Sequence, residues 1–258
     1  MIKIDSFWNE FRRNFFTFII TLLMATLLGI VYSLIIKDEY LFYYNIEIWE
    51  EASQISIIIL PFIVTLPSCL LLFEEKRSGY LKNICCRENI KIYIRRKIII
   101  GVLYGFLLGF LTSFFIFMFD ELAISDVSIN NPFFKNNEVV STHFYGEIFT
   151  KTPWLYVFLL SLWRGVIGAI YSYFGCILAL KAKYLYIVLS GPFVWELVSS
   201  VFLAIIGVPE YSVLYSYLPD GLSYGRVNLF TMLVGPIVSL VCFIIIKNMF
   251  GIKNEAFD

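Results

Sequence analysis

A chain of 258 residues that is 59% hydrophobic and 19% aromatic, with a mean hydropathy of +0.79, is too apolar for a water-soluble domain, where about 45–50% apolar residues is usual. Twenty Lys plus Arg balance twenty Asp plus Glu, so no excess of positive charge points to nucleic acid as a partner. Five cysteines, at 69, 85, 86, 176 and 242, match no metal-ligand spacing, and adjacent Cys85 and Cys86 are poorly placed to bridge each other, so reduced thiols are expected.

Residues 1–14 carry Ile4, Phe7, Trp8 and Phe11 among Lys3, Glu10, Arg12 and Arg13. The spacing puts the aromatics on one helical face, which suits either a short helix lying in the headgroup region or a charged anchor flanking a span. Six apolar runs follow, at 15–36, 55–73, 98–119, 154–180, 184–206 and 228–246. Each is close to the roughly 20 residues that a helix rising about 1.5 Å per residue needs to cross about 30 Å of hydrocarbon. The runs are continuous rather than alternating, which predicts an all-α membrane protein and not a barrel. The first is too long for a signal-peptide core and no small-residue cleavage site precedes Lys37-Asp38-Glu39, so it is read as a retained span.

Orientation follows from where the cations sit. With residue 1 inside, the inner segments 1–14, 74–97, 181–183 and 247–258 hold fifteen of the twenty basic residues. The outer segments 37–54, 120–153 and 207–227 hold four, namely Lys37, Lys135, Lys151 and Arg226. This asymmetry predicts a multi-pass protein of the cytoplasmic membrane with both termini inside. The longest polar stretch, 120–153, has about 34 residues and no long periodic segment, so residues 1–258 are read as one membrane domain.

Within the spans, Gly101, Gly105 and Gly109 form a stripe at four-residue spacing that lets another helix approach closely, within the subunit or across a dimer seam. Pro61, Pro67, Pro192 and Pro236 each remove a backbone donor and are candidate kinks. Arg164 and Glu196 are ionisable residues inside apolar runs, and the short connection 181–183 makes their helices antiparallel neighbours. Counting from the run ends puts both near mid-membrane, where they form an ion pair, line a transport path, or find separate partners. The only histidine, His143, has no cysteine near it in sequence, and no glycine is followed by lysine, so no phosphate-cradling loop is present. No catalytic, metal or cofactor site is expected in this chain.

The inner loop 74–97 reads Glu-Glu-Lys-Arg-Ser-Gly-Tyr-Leu-Lys-Asn-Ile-Cys-Cys-Arg-Glu-Asn-Ile-Lys-Ile-Tyr-Ile-Arg-Arg-Lys, with eight basic residues. Such a loop attracts anionic lipid on charge alone. Its order, however, resembles the permease subunits of type-two ABC exporters, in which an acidic and a basic residue precede Ser-Gly and a short helix that docks on the ATPase. The matching positions are Glu75, Lys76, Ser78, Gly79, Tyr80, Leu81 and Arg87, with Tyr93 and Lys97 leading into the third span. The six spans, the N-terminal segment and Pro192-Phe193 in the fifth run are also similar to that family, whereas Cys85-Cys86 and the long outer segment 120–153 depart from it.

The resemblance implies a non-enzymatic half-channel with an N-terminal interfacial helix and a cytoplasmic coupling helix that presents Tyr80 and Leu81 to an apolar groove. It further implies a second permease chain, identical or homologous, and a separate dimer of ATP-binding subunits carrying the ATP and Mg. The bias toward Ile, Phe, Lys, Asn and Tyr suits an AT-rich Gram-positive genome, and the family then suggests an antimicrobial peptide or lipid-like substrate. Two other readings compete: a membrane-embedded enzyme, and a peptide-binding or immunity protein that uses no ATP.

Overall fold

With no water inside a bilayer to satisfy the backbone, long apolar runs must close their hydrogen bonds within themselves, and helix is the form that does so. The computed structural model describes residues 4–39, 42, 45–81, 89–124, 144–221 and 227–249. Its α-helices are α1 (Ile4–Glu39), α2 (Asn45–Ile63), α3 (Leu66–Arg77), α4 (Ile90–Ala123), α5 (Gly146–Lys151), α6 (Pro153–Lys181), α7 (Leu185–Ile206), α8 (Val213–Tyr217) and α9 (Leu229–Met249). Six segments are long and apolar enough to cross a membrane: α1, α2 with α3, α4, α6, α7 and α9. Among the described residues there are helices and no strand, and the protein is of membrane-spanning type.

Several boundaries differ from those expected. α1 runs unbroken for 36 residues, about 54 Å at 1.5 Å per residue, so the segment before the first span is its continuation and not a separate interfacial helix. Phe11 stacks on Tyr104 of α4, with ring centroids 4.6 Å apart, and so faces the bundle. Of the segment 37–54, expected as an outer connection, residues 45–54 are the first part of α2. Ile46, Trp49, Ala52 and Ser53 are buried on one side of α2 while Glu51 and Gln54 stay exposed, an amphipathic continuation of the second span. Of the four prolines, Pro61 and Pro67 flank the break between α2 and α3 at residues 64–65, where the Thr65 hydroxyl donates to the Phe62 carbonyl at 2.7 Å. Pro192 and Pro236 lie inside continuous helices.

The tightest seam joins α4 to α6, and the glycine stripe makes it. A methyl group at Gly109 would sit 2.5 Å from the Arg164 carbonyl oxygen, and one at Gly105 2.6 Å from that of Gly168. Ser172 donates to the Gly101 carbonyl at 2.7 Å, and the hydroxyls of Ser113 and Ser161 meet at 3.1 Å. The stripe is therefore spent within the subunit. Around this seam lie two large apolar clusters, one about Trp49, Phe117 and Tyr156, the other about Tyr104, Tyr171 and Tyr217. α7 is the least covered span, with 11% of its apolar window buried, and Val198, Val201, Phe202 and Ile205 stand exposed along it. Such a face is untenable in water and suits lipid or another apolar chain.

The largest departure lies between α7 and α9, where 207–227 reads as an outer loop. α8 instead turns back into the bundle, with Val213, Tyr217 and Leu218 buried against Ile57, Leu60, Tyr104 and Ile167.

Candidate functional site

Two polar centres stand out, one at the end of the bundle where α3 ends and α4 begins, the other inside it. At the bundle end, α1, α3 and α4 bring Glu10, Arg13, Glu75, Tyr93, Arg96 and Lys97 together. Glu75 is buried and accepts from Lys97 Nζ at 2.9 Å and from the Tyr93 hydroxyl at 2.8 Å, and it also pairs with Arg13. Glu10 accepts from Arg96 Nε at 2.9 Å and Nη2 at 2.6 Å, and its second oxygen lies 3.6 Å from Lys97 Nζ. Arg96 and Lys97 are themselves 2% and 4% exposed, so each carboxylate compensates a cation that would otherwise be buried alone.

The turn beyond α3 rests on this network. Ser78 N–H donates to the Glu74 carbonyl at 2.9 Å and Gly79 N–H to that of Lys76 at 3.2 Å. Gly79 takes φ +73°, the left-handed conformation that commonly ends a helix and that glycine adopts without strain. No atom lies within 4 Å of a Cβ built there, so Gly79 serves the turn and not a close approach.

The expected coupling residues separate into different roles. Glu75 is a buried structural acceptor. Lys76 donates to the Ala182 carbonyl at 3.1 Å, tying α3 to the turn between α6 and α7. Tyr80 is 45% exposed, but Leu81, expected beside it on the docking face, is buried against Tyr93 and Ile90. Arg87 and the Cys85-Cys86 pair lie outside the described residues. Cys69 and Cys176 are buried with their sulfurs 3.5 Å apart, each a small filler where α3 meets α6.

Inside the bundle, Arg164 and Glu196 do not pair. The Arg164 guanidinium donates through Nη1 to Ser53 Oγ at 2.7 Å and Ser113 Oγ at 2.9 Å, and through Nε to the Tyr217 carbonyl at 3.3 Å. It lies over the rings of Trp49 and Tyr217, 4.3 and 4.7 Å from their centroids. Glu50 and Asp220 are within electrostatic range, joined to each other through Tyr156, whose hydroxyl is 2.7 Å from Glu50 Oε1 and 3.2 Å from Asp220 Oδ2. Glu196 is bonded by Tyr171 and by Ser200 Oγ at 2.9 Å, and the backbone N–H of Leu214 lies within its electrostatic range. Its partner on α6 is thus Tyr171, seven residues further along the helix than Arg164, a displacement of about 10 Å.

What the two charges share is α8. Glu196 faces the N–H of Leu214 in its first turn, and Arg164 donates to the carbonyl of its last residue. An anion at the N-terminal end and a cation at the C-terminal end both match the helix dipole. Ser212 caps the same helix by accepting from Tyr215 N–H at 3.3 Å. Trp163 donates to the Ser216 carbonyl at 3.1 Å, and Ser216 Oγ donates to the Met232 carbonyl at 2.6 Å, linking α8 to α6 and α9.

Fold and polar centres together define a multi-pass helical membrane protein with an ion-paired network at one end and a re-entrant helix held by buried charges. No protein family, curated protein or solved structure matches the chain.

Proposed function

We propose that the chain is the permease subunit of a type-two ABC exporter, half of a transmembrane pathway driven by separate ATP-binding subunits. The observation that carries the reading is the network at Glu75. Two positions of the family-like run, Tyr93 and Lys97, converge on the buried carboxylate of a third, Glu75, and shortly after it the Gly79 turn leaves Tyr80 exposed. A rigid base carrying an exposed aromatic is what a loop needs to pass force between a soluble motor and membrane helices.

In this reading the loop faces the cytoplasm, where basic residues predominate, and ATP and Mg sit on the partner ATPase dimer. A second permease chain, identical or homologous, and membrane lipid cover the exposed apolar faces. The substrate is an antimicrobial peptide or a lipid-like molecule. An embedded enzyme would have to put Arg164 and Glu196 to work, and both are occupied with holding α8, which weighs against that alternative.

The test is pull-down of the ATPase from the native host on the tagged chain in detergent. Tyr80→Ala should leave the size-exclusion profile unchanged and weaken ATPase retention by about 30-fold, the loss of a hot spot of about 2 kcal/mol. Full retention together with full substrate-stimulated hydrolysis in the variant would remove the loop as the coupling element.

A further inference from the structure

A groove of about 360 Å³ opens between the first turns of α4, the last turns of α6 and the end of α9. Its walls are Ile94, Ile98, Ile99, Ile177 and Leu180, and its rim carries Lys91, Arg95, Lys181 and Lys247. No acidic residue is among these described lining residues. The two chemistries are ordered along the helices. Lys91 and Arg95 lie toward the start of α4 and Ile98 and Ile99 follow about one turn after Arg95, while on α6 Ile177 and Leu180 come before terminal Lys181.

From this we infer a binding site for one anionic phospholipid, its phosphate among the four cations and its upper acyl chain against the isoleucine wall. Charge complementarity selects the head group, since a basic recess between spanning helices attracts anionic lipid, and the apolar depth selects a molecule with a tail. The volume lies within the usual range of small-molecule sites, about 300–1,000 Å³. Lys181 is oriented by donating to the carbonyls of Ile246 at 3.1 Å and Lys247 at 3.2 Å, which fixes one cation at the junction of α6 and α9. Lys247 Nζ lies 5.8 Å from the centroid of the Tyr173 ring, so it too is held near the groove. Arg95 is exposed and has no hydrogen-bond or ion-pair partner among the described residues, leaving its guanidinium to grip a phosphate. A lipid here would join the start of α4 to the ends of α6 and α9. The site does not depend on the exporter reading.

The experiment measures protection of the purified, delipidated chain against thermal unfolding in detergent as lipid is titrated in. Dioleoylphosphatidylglycerol should half-saturate at a concentration about tenfold or more below that of dioleoylphosphatidylcholine. The Lys91→Gln, Arg95→Gln, Lys247→Gln triple variant should raise that concentration to the phosphatidylcholine level. Arg77→Gln with Lys183→Gln, which removes two exposed cations outside the groove, should leave it unchanged. Should the triple variant fail to give a monodisperse protein, Arg95→Gln alone, at an exposed position, should still raise it several-fold. Equal protection by the two lipids, a triple or Arg95 variant that behaves as wild type, or an equal loss in the control variant would overturn the site. Protection by glycerol 3-phosphate alone, as strong as that by the lipid, would also overturn it in favour of a free-anion site.

Discussion

If Arg164 and Glu196 formed a pair, removing both would be milder than removing one; because they hold opposite ends of α8, the reverse is expected. Arg164→Met deletes two bonds to serine hydroxyls, the bond to the Tyr217 carbonyl and the stacking on two rings. The serines keep other partners, since Ser53 donates to the Trp49 carbonyl and Ser113 meets Ser161, so the Tyr217 carbonyl is the group left unpaired. Leaving that buried carbonyl unpaired costs about 1–3 kcal/mol. Glu196→Gln keeps an acceptor for Leu214 N–H and gives up the charge at the helix start, about 1–2 kcal/mol. Unfolding in mixed detergent and SDS micelles would measure the totals. Modification of a thiol introduced by Val213→Cys, in a chain otherwise free of cysteine, would report whether α8 stays docked. Arg164→Met should speed that modification strongly, and the double variant should be at least as unstable as Arg164→Met alone. A double variant more stable than the single would restore direct pairing and refute the clamp.

Gly105→Val should abolish monodisperse protein, because its Cβ would meet backbone of α6, whereas Gly79→Ala should fold and lose only the strain of a left-handed alanine, about 1–2 kcal/mol; size-exclusion chromatography separates the two outcomes. For sidedness, a thiol at Glu147→Cys should react with an impermeant reagent on intact cells and one at Lys183→Cys only after permeabilisation, and the opposite pattern would invert the topology.

The spans were legible because hydropathy over about twenty residues needs nothing but composition. Asn45–Ile63 was half missed because Glu47, Glu50 and Glu51 lower the average, although the helical spacing of Ile46, Trp49 and Ser53 carried the signal. The Arg164–Glu196 register was readable too. Measured from the connection 181–183, Arg164 is seventeen residues before its start and Glu196 thirteen beyond its end, an offset of about 6 Å that counting from opposite run ends concealed. Leu81 was misplaced for a different reason, since which side of a short helix turns inward depends on Tyr93, a neighbour from another element.

α8 was not legible, and its physics says why. Nine residues lie between Pro209 and Pro219, and the five that form α8 are too few to show periodicity, while the flanking prolines read as loop. The same shortness makes the helix dependent on others. Nearly all its N–H and C=O groups belong to the unpaired first and last turns, and inside an apolar bundle water cannot serve them. Ser212, Glu196, Trp163 and Arg164 supply what the helix cannot make for itself. Two charges that look like a buried pair in sequence are therefore better understood as the conditions under which a fragment of backbone can stay inside. An element stabilised so largely by side chains of other helices should be the first to loosen if α6 and α7 are displaced, since Arg164 and Glu196 sit on those two helices, and the Val213→Cys thiol would report it as faster modification.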